Sequence, residues 1–375
     1  MLAARARSLV RFDVYVPIIS ETAVQKRHAS SQDFHPKRGP GGRSSFNGVV
    51  ATVFGSTGFL GRYTVNRLAR CGTQLIVPYR CMEDYLRHLK PMGDIGQIMF
   101  NNFHLKDVPS IEKCVQFSNV VVNLIGKEFE TKNFSFHDAH VEGAAAIAKA
   151  AKNAGVKRFI HVSALNAATN SPSKFLQTKA QGERAVKQEF PEATILRPAE
   201  CYGHEDKFLN MYAYLRNLPF GQPLIDNGME TKKRPVLVAD VAQAIVNAAL
   251  DESAAGKTYE LYGPEEYYLH DIVEYVYKII RKPFRPYKIP ENIYKMVAYF
   301  LEQSIFDPRM TRDKVTRHYL SDQISSHIMS FEDLGIKPAT INEAAISMLR
   351  RHRDMMHYDD SHTEDEFCKP TSAYN

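Results

Sequence analysis

The 375-residue chain has no tryptophan, so its intrinsic fluorescence comes from tyrosine. Cysteine is scarce. Cys71, Cys81, Cys114, Cys201 and Cys368 form no CxxC pair and no His/Cys cluster at metal-ligand spacing. An odd set of scattered thiols reads as free side chains in a reducing compartment, and it offers no metal site. No apolar run approaches the roughly 18 residues of a membrane-spanning helix. Charge of one sign is also modest, with a formal balance of +6. The basic residues are scattered. They are neither gathered on one helix nor interleaved with aromatics, which argues against a nucleic-acid surface. No internal repeat is present. Apolar residues make up 44% of the chain, enough for one large core or a core plus a small second domain.

What the chain does have is a glycine-rich turn in a telling place. The run 49–54 is apolar and leads into Gly55-Ser56-Thr57-Gly58-Phe59-Leu60-Gly61-Arg62, and an amphipathic stretch follows to Arg70. The order is strand, tight turn, helix. In a dinucleotide fold the first glycine makes the turn and the second lets backbone approach a pyrophosphate. The third allows close helix–strand packing. The helix N-terminus adds free N–H groups and a partial positive charge.

Around this turn the chain alternates strand and helix patterns, which predicts a Rossmann-type, doubly wound α/β fold with a parallel sheet. Strands are expected over 49–54, 74–79, 97–100, 119–125, 158–163, 193–196 and 258–261. Helices are expected over 60–70, 82–90, 109–116, 137–153, 174–188 and 238–250. The helix over 137–153 is alanine-rich, and Gly155 is its stop. Beyond Tyr267 the character changes. Aromatic-rich helical patterns over 269–281 and 291–306 are separated by a stretch with three prolines, and a last helix runs over 341–357. The expected organisation is a nucleotide-binding domain over 48–265 and a smaller, mostly helical C-terminal part over 266–357. An acidic, disordered tail over 358–375 follows.

The first 30 residues stand apart. The opening MLAARARSLVRF contains no acid and alternates arginine with alanine, leucine and valine. That is the pattern of a mitochondrial transit peptide. Residues 31–47 read as an extended lead-in.

Cofactor choice turns on the end of the second strand. An NAD-binding Rossmann fold places Asp or Glu there, roughly 20 residues past the turn, to accept from the ribose 2′-OH. Here the strand ends at Tyr79-Arg80. An arginine suits a 2′-phosphate, and Arg62 adds a second positive charge, so NADPH is favoured over NADH.

Several motifs come in the order of the extended and atypical short-chain dehydrogenase/reductase family. They are Gly55-x-x-Gly58-x-x-Gly61, Asn123-Leu124-Ile125-Gly126, Ser163, Lys179, Arg197-Pro198 and Val238-x-Asp240-Val241-Ala242. The chain resembles that family over roughly 48–265. The resemblance implies that the three glycines form the pyrophosphate loop and that Asn123 to Gly126 lie along the cofactor. Ser163 would be the active-site hydroxyl, Lys179 would hold the nicotinamide ribose, and Pro198 would open the loop beside the nicotinamide.

One departure is decisive. The family pairs a tyrosine with a lysine four residues later, and the phenol passes the proton during hydride transfer. Here the stretch reads Phe175-Leu176-Gln177-Thr178-Lys179, and no tyrosine stands between Ser163 and Cys201. Phenylalanine has no proton to give. Ser163, Tyr202 or a water are the alternatives. A second departure puts His104 where the family has an acid near the adenine.

With the basic leader and the aromatic C-terminal part, the whole chain resembles the nucleotide-binding accessory subunits of mitochondrial respiratory complex I. That resemblance implies a matrix-side position, bound NADPH, other complex I subunits as partners, and support of assembly rather than catalysis. The stretch 293–306 supplies an apolar face for a partner, a membrane surface or plain core packing. An active mitochondrial NADPH-dependent reductase or epimerase is the competing expectation.

Overall fold

The computed structural model describes residues 37–217, 221–303, 308, 310–353, 368 and 370–374. The expected transit peptide, residues 31–36 of the lead-in, and residues 358–367, 369 and 375 of the expected tail lie outside the described residues.

The chain runs β1 (Val50–Phe54), α1 (Phe59–Arg70), β2 (Gln74–Tyr79), β3 (Ile98–Asn102), α2 (Val108–Val115), β4 (Val120–Asn123), α3 (Gly143–Asn153) and β5 (Arg158–Val162). It continues through α4 (Lys174–Glu189), β6 (Thr194–Pro198), α5 (Leu209–Tyr214), α6 (Val238–Leu250) and β7 (Thr258–Leu261). Four more helices follow: α7 (Leu269–Ile280), α8 (Glu291–Glu302), α9 (Arg312–His318) and α10 (Ile341–Leu349).

The seven strands make one sheet in the order β7-β6-β5-β4-β1-β2-β3, and every neighbouring pair is parallel. The order reverses between β1 and β4. In open α/β sheets that switch point leaves a crevice at the carboxyl ends of the strands, where ligands bind.

Strand periodicity explains the two covered faces. Ala51, Val53, Leu75, Val77, Val120 and Val122 point one way and pack on Val65 and Leu68 of α1 and on Val241 and Ile245 of α6. Phe54, Val121 and Phe159 point the other way, onto Ile111 of α2, Ile147 and Ala151 of α3, and Val186 of α4. Burial on both faces is why β1 reads as an unbroken apolar run.

Two expected helices differ in form. The stretch 82–90 forms 3₁₀ turns at Glu83–Leu86 and Lys90–Met92. Only Leu86 and Leu89 are buried there, at the three-residue spacing of a 3₁₀ turn, and Pro91 prevents a longer helix. The expected helix over 137–153 opens with a π-turn, Asp138–Glu142, before α3 begins. The cause is close packing against α4: a Cβ at Gly182 would lie 2.2 Å from the carbonyl oxygen of His140. Gly155 does end α3, in a left-handed conformation at φ 71°.

A second core lies beyond the sheet. Tyr202, Leu209, Tyr212 and Leu224 join Ile272, Val276 and Ile280 of α7 and Ile341, Met348 and Leu349 of α10. The stretch between β6 and α6 therefore contributes side chains to the C-terminal lobe, and Gln222–Ile225 pairs in parallel with Pro286–Ile289. Helix α8 buries Tyr294 and Ala298 against Ile225 and Val315. Its other side, with Ile293, Met296, Val297, Phe300 and Leu301, is exposed. Among the described residues, no helix is long and apolar enough to cross a membrane. All five cysteines are free.

A candidate dinucleotide site at the carboxyl end of the sheet

The glycine-rich turn sits at the switch point, and each glycine has a steric reason to be there. Gly55 adopts φ 81°, and a Cβ on it would lie 2.9 Å from the carbonyl carbon of Leu124. The turn after β1 thus presses directly on the backbone that leaves β4. Gly58 caps α1 without a side chain in the way. A Cβ on Gly61 would lie 2.4 Å from the carbonyl oxygen of Gly55, so the helix closes onto its own loop. The first turn of α1 contains no acid. Its N–H groups and positive dipole end are open to an anion. The Ser56 hydroxyl is buried without a protein partner.

The residues singled out in β4 and β5 converge on the same edge. Asn123 Oδ1 accepts from Ile125 N–H at 3.0 Å, which folds the chain back at the strand end. Its Nδ2 stands 3.3 Å from His161 Nδ1. Ser163 is 5% exposed, and its hydroxyl has no protein partner. Pro198 ends β6, and its carbonyl accepts from Leu165 N–H at 2.8 Å.

Helix α4 supplies Lys179. Its ammonium donates to Val162 O at 3.1 Å and would lie 3.3 Å from a Cβ on Gly126, so it spans the ends of β4 and β5. Burial pulls its pKa down to about 8, with Arg317 adding to that and Glu183 opposing it. Phe175 lies one turn earlier. Its ring meets His140 edge-on at 5.1 Å and Phe136 at 6.1 Å. His140 accepts from Lys127 N–H at 3.0 Å through Nε2, and its Nδ1 faces Thr178 Oγ1 at 2.9 Å. Burial holds it neutral, with a pKa near 2, and His161 is pushed to about 3 in the same way. The place one turn before the lysine is therefore an aromatic cluster, Phe175 with Phe136 and His140, without a phenol.

A cavity of about 200 Å³ lies beside it, lined by Ser163, Phe175 and Pro198 from the sheet side and by Lys233, Arg317 and Asp322 from the C-terminal side. Among the described residues, no tyrosine lines it. Tyr202 points away, into the second core, and donates to Thr340 O at 3.1 Å.

The two basic residues expected at the 2′-phosphate, Arg62 in α1 and Arg80 after β2, separate. Arg62 pairs with Glu205. Arg80 instead lies over the ring of Phe134, with its guanidinium carbon 5.3 Å from the ring centre. Two lysines share that ring: Lys106 Nζ at 5.1 Å and Lys127 Nζ at 5.3 Å. Burial and the Arg80 charge both lower the pKa of Lys127. Three cations from the ends of β2, β3 and β4 thus converge on one aromatic side chain. His104 stands at its edge, 5.8 Å away, and accepts from Lys106 N–H.

Residues 49–343 match the NmrA-like family. The chain is 48% identical over 337 residues to a mouse protein, NADH dehydrogenase [ubiquinone] 1 alpha subcomplex subunit 9, mitochondrial, covering 90% of this chain and 88% of that one. It belongs to the NmrA-like family, and within it to the alpha subcomplex subunit 9 proteins. A Neurospora crassa relative, the NADH-ubiquinone oxidoreductase 40 kDa subunit, is 44% identical over 323 residues, covering 86% of this chain and 84% of that one. In fold the chain is similar to an NADPH-dependent quinone oxidoreductase of Escherichia coli solved with NADPH. The TM-score is 0.61 at 17% identity, with 80% of this chain and 99% of that one covered. The short-chain-dehydrogenase-like α/β expectation is borne out.

Of the residues the sequence picked out in this subunit 9 family member, Ser163 and Pro198 line the cavity, Gly55 packs on Leu124 and Lys179 lies beside Gly126, while the Arg62 side chain turns to Glu205 and Arg80 lies over Phe134. Reading the sequence missed His140, Thr178, Lys106, Lys127 and Phe134. Lys127 directly follows the Asn123–Gly126 motif, and Thr178 directly precedes Lys179. Adjacency was the available signal for both. His140 enters the site only through the π-turn, which no periodicity announces.

Proposed function

We propose that the chain binds NADPH in this cleft and works as a non-catalytic accessory subunit of mitochondrial NADH:ubiquinone oxidoreductase, complex I. The observation that carries the reading is a glycine turn and a buried lysine beside an aromatic cluster at the place where the family has a phenol. The glycine turn, Asn123 and buried Lys179 are in place, while Phe175 and its aromatic neighbours occupy the position from which a phenol would pass a proton. General acid–base groups typically contribute 10²–10⁴-fold to rate. A cradle kept without one makes the dinucleotide a structural or regulatory ligand.

In this reading Gly55, Ser56, Thr57, Gly58, Phe59, Leu60 and Gly61 hold the pyrophosphate, with Arg62 at the helix start. Asn123, Leu124, Ile125 and Gly126 lie along the cofactor. Ser163, Lys179 and Pro198 surround the nicotinamide ribose and ring. Support for NADPH over NADH comes from Arg80, Lys106 and Lys127 around Phe134, because a doubly charged phosphate draws strength from convergent cations. The relatives' names support membership of the complex and a mitochondrial location; a position on the matrix side of the inner membrane is part of the same proposal. The transit peptide over 1–30 and the division into a nucleotide domain over 48–265 and a C-terminal part over 266–357 belong to the same reading. The exposed face of α8 is its surface for a neighbouring subunit or for lipid.

A ligand that binds only the folded state stabilises it by about 4 kcal/mol at a thousandfold excess over Kd. Assembly then depends on NADPH through the fold. The test is Arg80→Glu. NADPH affinity is expected to fall by about tenfold or more, since hydrogen bonds to charged groups contribute roughly 1.5–3 kcal/mol. Incorporation into the complex should fall with it. Lost binding with normal incorporation would break the coupling.

The second reading, an active NADPH-dependent reductase or epimerase, is favoured by the unpartnered Ser163 hydroxyl. NADPH oxidation with a panel of carbonyl substrates decides it.

A further inference from the structure

The C-terminal lobe reaches back over the cleft through one short segment, 311–323, made of α9 and the turn that follows it. Three attachments hold it there.

Asp313 caps α4 from outside. Its carboxylate accepts from Ser173 Oγ at 2.9 Å, from Lys174 N–H at 2.7 Å and from Phe175 N–H at 3.4 Å. A carboxylate at a helix N-terminus satisfies otherwise unpaired N–H groups and complements the dipole. Arg317, one turn on, lays its guanidinium over the Phe175 ring, 4.3 Å from the ring centre, and its Nε stands 3.8 Å from Glu200. Asp322 pairs with Lys233 at 3.4 Å, with both side chains almost wholly buried, and accepts from Arg234 N–H at 2.9 Å. Beside it Asn166, held at φ 62°, donates to Ser321 O at 3.1 Å and accepts from Gln323 N–H at 2.8 Å.

The segment is thereby tied to the start of α4, to the loop after β5 and to the chain after β6. Those three pieces line the cavity beside Ser163. Thr178 and Lys179 follow Phe175 by one turn of α4, so a hold on that first turn reaches the residues facing the cleft. Removing one member of the Lys233–Asp322 pair would leave a buried charge uncompensated, which makes this attachment permanent rather than adjustable.

We propose that segment 311–323 is a strap that fixes the start of α4 over the cleft and slows release of a bound dinucleotide. The proposal rests on the reading that the cleft takes NADPH. It gives α9 a task that the sheet and the glycine turn do not perform. The turn holds the pyrophosphate end, and the strap governs how readily the nicotinamide end comes away.

The experiment loads the full-length chain with NADPH and displaces it with excess NADP⁺ while NADPH fluorescence is followed. In Asp313→Ala and Arg317→Ala, release is expected to quicken by about tenfold, the fold-change equivalent to a strong helix cap, with association unchanged. Glu302→Gln, which removes an exposed partner of Arg312 outside the strap's inner face, should release at the wild-type rate. Wild-type release in both strap variants would overturn the proposal. A wild-type chain that takes up no NADPH in direct titration would overturn the functional reading, and the strap with it. A measurement free of variants adds a second check. In the wild-type chain, NADPH should slow hydrogen exchange at Lys174, Phe175 and the amides of α9 together. Protection of the α1 amides without any at α9 would count against the strap.

Discussion

Lys179 is where the site's chemistry is most exposed to test. It is 5% exposed and donates to one carbonyl, and burial pulls its pKa to about 8. An ammonium held that way costs stability in the empty chain and repays it only against a ligand. Lys179→Met is therefore expected to raise the melting temperature of the unliganded chain by about 2–4 °C, near 1 kcal/mol for a domain of this size, while weakening NADPH. Thermal scans with and without NADPH check both signs. A variant less stable than wild type in both scans would mean that the ammonium serves the fold alone.

The histidines give a pH prediction at the same scale. His140, His161 and His318 are buried, and their pKa values are lowered to about 2, 3 and 3. In the unfolded chain they titrate near the ordinary 6.5. Between that value and about 3 the unfolded state binds more protons than the folded one. Their contribution is thus complete above about 6.5 and is lost progressively as pH falls from there towards the folded values. The melting temperature should drop steadily from pH 7 towards pH 4.5. A flat profile would show that these rings accept protons in place.

At the scale of elements, α4, α3 and the π-turn that precedes α3 show how packing overrides local pattern. The alanine-rich run over 143–153 announced a helix, and the helix formed. The residues just before it carried the same helical pattern, yet they adopt a π-turn because His140 O sits against Gly182. That contact brings His140 into the cleft. Gly182→Ala is expected to destabilise the chain by about 1–3 kcal/mol, the usual range for overpacking. It should also displace His140 from Thr178, seen as a shift of the His140 ring signals in NMR. Unchanged stability would mean that α4 can move away freely, and the strap's hold on its first turn would then be weak.

The elements also mark what could be read without coordinates. The glycine turn, the parallel strands and a phenylalanine four residues before Lys179 were legible because each is local: a spacing, an alternation, a side chain without a hydroxyl. Arg80 was legible too, as a charge at a strand end. Lys106, Phe134, Asp313 and Arg317 were not. They meet the site through contacts between distant parts of the chain, and α9, seven residues long, is too short for its pattern to stand out. The stretch 82–90 misled for a related reason. Its apolar residues fit a helix and a 3₁₀ turn equally, and only the burial of Leu86 and Leu89 decides.

At the scale of the molecule, two cores share one cleft. The sheet and its helices present the glycine turn, while the C-terminal lobe closes the far side with Arg317, Lys233 and Asp322. The same lobe carries the exposed apolar side of α8. On the proposed reading, NADPH held between the two parts links the cleft to that face. The measurement closest to that claim is the native size of the chain in mitochondria extracted with mild detergent. The account predicts that the chain runs wholly within a very large assembly that has NADH dehydrogenase activity. A chain found as a small soluble species would contradict it.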